Sequence, residues 1–204
     1  AGSTALAAVG ANASLINLLT NLFIGFSVGA NVLVARFYGA KKEGEISETV
    51  HTAVVLSVVC GLGLMVFGML VAPQILVVMG TPEDVLGQAV LYIRIYFAGM
   101  PVILLYNFGS SILRAVGDTQ RPLYYLFGAG IINIVLNLIF VIGFHLGVAG
   151  VALATVISQV VSAGLILRCL MHMEGGCRVE LKNLRMKKEK VLQIVRIGLP
   201  AGLQ

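Results

Sequence analysis

Apolar residues run through this chain in five long blocks separated by short polar segments, at roughly 5–35, 50–79, 85–113, 123–144 and 147–171. A sixth block opens at Val191. Each complete block is longer than the roughly 20 residues a helix needs to cross the hydrocarbon core of a bilayer. Charged residues collect between the blocks, and the strict alternation of polar and apolar positions that marks barrel strands is absent. In hydrocarbon only a helix pairs every backbone N–H and C=O within one segment. The pattern therefore predicts an all-α, polytopic transmembrane helix bundle. Three blocks reach about 30 residues, more than the core requires, which predicts tilted helices or ends that project into water.

Composition strengthens this picture. Of 204 residues, 58% are apolar and only 11% charged, and mean hydropathy is +0.97, whereas soluble domains carry roughly 25% charged residues. The first block has no basic leader and is too long for the apolar region of a signal peptide, so it is expected to be a genuine crossing. The chain starts at Ala1-Gly2-Ser3-Thr4 already in a helical pattern and ends at Gln204 inside another, and is read as a fragment of a longer protein. Cys60, Cys169 and Cys177 are odd in number and lack CxxC spacing, so neither a disulfide framework nor a metal site is indicated.

The net charge of +5 raises the question of nucleic acid, and the positions of the charges answer it. Arg36, Lys41 and Lys42 follow the first block, and Arg114 and Arg121 follow the third. Arg168, Arg178, Lys182, Arg185, Lys187, Lys188, Lys190 and Arg196 follow the fifth. The alternate connections, near Met79–Asp84 and Gly143–Gly147, contain no Lys or Arg, and Arg94 alone lies within a block. Thirteen of fourteen basic residues thus share one side, which the positive-inside rule makes cytoplasmic. The expected location is a prokaryotic plasma (inner) membrane, crossed several times, with the lipid bilayer as partner and no nucleic acid. Within the basic segment, Leu184, Val191, Leu192, Ile194 and Val195 recur at helical spacing, so Leu181–Arg196 is expected to lie on the anionic inner leaflet.

Polar side chains inside the blocks mark helix faces turned toward protein or water. The first block holds Asn12, Ser14, Asn17, Thr20, Asn21, Ser27 and Asn31, of which Asn17, Thr20, Asn21 and Asn31 share a stripe. Asn133 and Asn137 lie one turn apart in the fourth block, and Thr155, Ser158, Gln159 and Ser162 fall on adjacent turns of the fifth. Either a polar pocket between these two helices or hydrogen bonds across them would account for the pattern. Gly25-Phe-Ser-Val-Gly29 is a small-xxx-small motif that indicates close packing inside the bundle, with no dimerisation role assigned. Pro101 is expected to kink the third helix near Tyr106 and Asn107, for gating or for packing.

All nine acidic residues lie in connections or at block ends, so this chain offers no buried carboxylate to an ion-coupled process. His51, His145 and His172 sit at block ends without paired ligands or a Ser/Asp constellation, and read as isolated interfacial histidines. No enzymatic activity is expected.

Several segments, in order, resemble the multidrug and toxic compound extrusion (MATE) transporters. They are Gly39-Ala-Lys-Lys-Glu-Gly44, Tyr92-Ile-Arg94-Ile, Leu113-Arg-Ala-Val-Gly-Asp-Thr-Gln-Arg-Pro122 and Asn133-Ile-Val-Leu-Asn137, followed by Gly147-Val-Ala-Gly-Val-Ala-Leu-Ala-Thr155-Val-Ile-Ser-Gln159 and Ile197-Gly-Leu-Pro-Ala-Gly-Leu-Gln204. The resemblance implies a twelve-helix protein of two six-helix lobes with a drug-binding cleft between them. Residues 1–172 would be helices two to six of the N-terminal lobe, 173–190 a cytoplasmic basic linker between lobes, and 191–204 the start of helix seven; helix one and the C-terminal lobe would be missing partners.

The implied activity is secondary active antiport, exporting amphipathic or cationic small molecules in exchange for sodium ions or protons, with no resident cofactor or metal. The resemblance also implies a cation-coupling pocket at Asn133, Asn137 and Thr155, completed by an Asp of the first helix. Many members carry Asp where this chain has Asn137, so a titratable charge is missing here. Asn17, Asn21, Tyr106 and Asn107 are then candidates to line the cleft. The rival readings are a lipid-linked precursor flippase of related fold, whose cleft is typically lined by basic residues, and a non-transporting membrane scaffold.

Overall fold

A computed structural model describes the backbone of residues 2–204, and side chains from Asn17 onward apart from Val85 and Val148. The polar positions Asn12 and Ser14 lie outside the described side chains. Seven α-helices follow in order: α1 (Gly2–Gly39), α2 (Glu43–Val78), α3 (Glu83–Ala98), α4 (Met100–Ala115), α5 (Gln120–Leu138), α6 (Val148–Met171) and α7 (Lys188–Gly202). The chain is an all-α bundle, and five stretches are long and apolar enough to cross a membrane: Asn17–Gly39, Glu43–Val78, Leu86–Ala115, Gln120–Gly143 and Ala149–Met171.

Charge at the helix ends follows the helix dipole, which favours anions at N-termini and cations at C-termini. Glu43 and Glu45 open α2, and Glu83 and Asp84 open α3. Arg36, Arg114 and Arg168 close α1, α4 and α6. Helix α4 is central, packing on α1, α2 and α6, with Phe108, Ile112 and Leu113 fully buried. Helix α5 is peripheral: it packs on α6 and leaves Phe127, 69% exposed, and Ile134, 63% exposed, directed away from the protein.

Three boundaries differ from the sequence reading. The second span starts at Glu43 rather than near residue 50. Its first turns are polar, yet His51 and Thr52 are buried, because the α6–α7 connection covers and hydrogen-bonds to them, and Thr49 is buried with its hydroxyl on Glu45 O.

The third span is broken at Gly99, not near Tyr106 and Asn107. Pro101 sits in the first turn of α4, where a missing N–H costs nothing. The disruption falls just before it, where the Gly99 N–H bonds to Tyr96 O at 3.1 Å.

The basic segment is not a helix laid along a membrane surface from Leu181. It runs through two short 3-10 turns, Gly175–Cys177 and Leu181–Asn183, and becomes α-helical only at Lys188, where α7 docks on α1. Lys190, 5% exposed, lies 4.3 Å above the Phe37 ring and pairs with Glu45, and Ile194 is fully buried. The α1–α2, α4–α5 and α6–α7 connections therefore meet at one basic end of the bundle.

Candidate functional site

Asn133 and Asn137 face the same side of α5, one turn apart. Asn137 Nδ2 donates to Asn133 Oδ1 at 2.9 Å. That leaves Asn137 Oδ1 buried with no partner among the described residues. A buried acceptor left unpaired costs about 1–3 kcal/mol, so this oxygen is an acceptor in search of a donor or a cation. Directly after the pair the helix widens into a single π-helical turn, Ile139–Gly143, closed by the Phe144 N–H on Ile139 O at 3.1 Å. Such turns gather at functional positions because they re-aim neighbouring side chains.

Helix α6 packs against α5 and carries the third predicted residue. Thr155 Oγ donates to Val151 O at 3.0 Å, Ser158 Oγ to Thr155 O at 2.7 Å, and Ser162 Oγ to Gln159 O at 3.0 Å. Each hydroxyl proton is thus committed to its own helix backbone. The hydroxyl lone pairs remain available, which suits them to a cation rather than to an anion. Among the described residues, the asparagines and hydroxyls make no hydrogen bonds across α5 and α6; each set bonds within its own helix.

The remaining candidates fall into two groups. Tyr106 Oη donates to Pro122 O at 2.8 Å, tying α4 to the start of α5, while Asn107 Nδ2 donates to Ile103 O at 2.8 Å on its own helix. Both line a cavity of about 300 Å³ between α4 and α5, together with Ser110 and Arg114. Asn17 and Asn21 are exposed on α1 and do not reach that cavity. Their stripe-mate Asn31 points inward, and its Nδ2 donates to Ser111 O at 2.8 Å, joining α1 to α4.

His51 is not the isolated interfacial residue that its position in the sequence suggests. Its side chain is 5% exposed, Nδ1 donates to Ser47 O at 2.7 Å, and Nε2 accepts the Glu180 backbone N–H at 3.0 Å. A backbone N–H can only donate, so Nε2 is the unprotonated nitrogen and the ring is neutral. Lys187 reinforces this clamp: its N–H donates to Thr52 Oγ1 at 3.2 Å and its ammonium pairs with Glu48. The one local signal is Ser47 a turn before His51; the partner 129 residues later leaves no trace in the local pattern.

The family model for MatE matches residues 1–139. Over 209 aligned residues the chain is 34% identical to the protein named "Probable multidrug resistance protein YoeA" of Bacillus subtilis (strain 168), covering 99% of this chain and 45% of that one. Two solved structures match as well. One is the inward-facing conformation of a multidrug resistance MATE family transporter of the MOP superfamily, with TM-score 0.84 and 28% identity over 98% of this chain and 46% of that one. The other is an outward-facing conformation under the same description, with TM-score 0.84 and 29% identity over 97% of this chain and 44% of that one. The chain spans about half the length of the curated relatives it matches.

Proposed function

The chain belongs to the MatE family, and on that premise we propose that it forms most of the N-terminal lobe of a secondary active exporter of amphipathic, often cationic compounds, driven by entry of sodium ions or protons. One observation carries this reading: the same stretch of chain matches the inward-facing and the outward-facing transporter equally well. A lobe that keeps its fold in both states can rock as a unit against a second lobe, which is how alternating access works around a fixed site. The thirteen basic residues at one end orient that end toward the cytoplasm of a prokaryotic plasma membrane.

For coupling, the α5–α6 face offers Asn133, Asn137 and Thr155 as neutral oxygen donors, foremost the unpaired Asn137 Oδ1. Hard cations such as sodium select oxygen ligands. Neither α5 nor α6 contains an acidic residue. The pair of helices therefore suits a sodium ion, whose charge is balanced from another part of the protein, better than it suits a proton.

The test is export of a fluorescent organic cation from cells that carry the gene, under imposed sodium and proton gradients. Asn137→Ala and Thr155→Ala should each raise the sodium concentration needed for half-maximal export by roughly tenfold, the equivalent of ~1.4 kcal/mol for one lost ligand. Unchanged ion dependence in both variants would remove these residues from coupling. No export of several cations would remove the exporter reading itself.

A further inference from the structure

We propose that the basic end of the bundle holds a phosphate-binding pocket, built between the first turns of α2 and the α6–α7 connection. A cavity of about 140 Å³ lies there, lined among others by Ser47, Glu48, His51, Arg178, Arg185 and Lys187. One water needs only ~10–15 Å³ of such space, so the cavity has room for a phosphate group.

Charge accounting within the cavity points to an anion. Of its two carboxylates, Glu48 pairs with Lys187, and Glu180, which also lines it, accepts from Asn183 Nδ2. An amide cancels no charge, so Glu180 keeps its own, and the lining sets Arg178, Arg185 and Lys187 against two carboxylates, an excess of one positive charge. Among the described residues, neither Arg178 nor Arg185 makes an ion pair, so two exposed guanidinium groups border the cavity with their donors free for an added anion.

Two guanidinium forks call for a ligand that can accept bidentate hydrogen bonds on two sides. A carboxylate satisfies one fork; the three or more oxygens of a phosphate satisfy both. The wall opposite is preformed, because His51 is locked between Ser47 and Glu180 and cannot turn away. The cavity opens at the water-facing end of the spans, where an anionic lipid headgroup and a free phosphate compound both have access. Since both arginines lie on the connection while Ser47 lies on α2, a bound phosphate would fasten the connection to α2 from a second side.

The experiment uses the protein as the cell makes it, purified in detergent. Inorganic phosphate should raise its thermal unfolding midpoint relative to chloride at matched ionic strength. The double variant Arg178→Gln/Arg185→Gln should weaken apparent phosphate affinity by roughly tenfold or more. Lys182→Gln/Lys188→Gln, which removes the same charge outside the cavity, should leave it unchanged.

A second arm extracts the protein from nanodiscs of mixed phosphatidic acid and phosphatidylcholine and counts retained lipids by native mass spectrometry. Selective retention of phosphatidic acid that is lost with the two arginines supports the pocket and assigns a lipid headgroup as the source. Phosphate protection without selective retention supports it with a free phosphate compound instead. Neither effect in the unmodified protein overturns the proposal, as does equal loss in the lysine pair, which would leave general surface charge as the cause.

Discussion

Both ring nitrogens of His51 are bound to backbone, one on its own helix and one on the connection 129 residues later. His51→Phe keeps an aromatic ring, though a larger one, and leaves the Glu180 N–H without its acceptor, at a cost of about 1–3 kcal/mol. A sensor lies nearby in Cys177, buried in the first 3-10 turn of the connection. Burial pushes the Cys177 thiol above its ordinary range, and the Glu43 carboxylate adds to the shift. A raised thiol favours the folded connection fully below the ordinary thiol range, and that contribution is lost as pH climbs through the raised value. Alkylation of Cys177, followed by peptide mass mapping, should therefore be slow at neutral pH and quicken under alkali. In His51→Phe it should run about tenfold faster at neutral pH. An unaltered rate would mean that the connection is held without the imidazole. Residue types of this kind stand in plain view in the sequence, whereas their partners do not, because the pairing spans most of the chain.

The α1–α7 crossing shows what small residues accomplish at the scale of elements. Gly25 and Gly29 on α1 meet Gly198 and Gly202 on α7, so the two backbones touch. A Cβ on Gly198 would stand 2.7 Å from Gly25 O, and one on Gly202 would stand 2.7 Å from Leu22 Cα; both are too close for either helix to stay in place. Gly198→Ala should lower the thermal midpoint of the purified protein and loosen α7. Gly164→Ala, where a Cβ meets nothing within 4 Å, should be neutral or stabilising by up to about 1 kcal/mol. Equal midpoints for the two variants would show that the crossing does not bear on stability. The Gly25–Gly29 motif was legible as a close-packing signal; its partner was not, since 24 glycines offer many matches. The same holds for helix limits. Length and hydropathy delimit five spans, because a bilayer tolerates nothing else, but they misplace the start of α2. There buried polar residues imitate a loop until the connection that covers them is known. The break at Gly99 shows the same shortfall: Pro101 announces a disruption, and only the turn it occupies says on which side it falls.

For the molecule as a whole, two kinds of exposed surface separate lipid from the rest. The outer face of α5 and the π-helical turn that continues it present Leu123, Phe127, Ile134 and Ile142, each more than 60% exposed, and hydrocarbon covers such a face at no cost. Helix α1 also presents an exposed face, but it carries Asn17 and Asn21, with Thr20 half-exposed between them. Amide side chains facing lipid tails lose their water hydrogen bonds without replacement, so this face belongs against water or against more protein. On the function proposed above, a second lobe would supply both, with a cleft along one side of this bundle and lipid on the opposite side. Helix α7 docks on α1 beside this stripe, with Gly202 packed against the Asn21 carbonyl, so α7 borders that face. Single cysteines distinguish the two surfaces in the protein as the cell makes it, embedded in native membranes and treated with a charged maleimide. Asn21→Cys should react at least about tenfold faster than Phe127→Cys, because thiolate forms readily in water and hardly at all in hydrocarbon. An added transported cation should slow the reaction by occupying the cleft. If Asn21→Cys proves as inert as Phe127→Cys, the asparagine stripe faces lipid and the cleft must be sought on another side of the lobe.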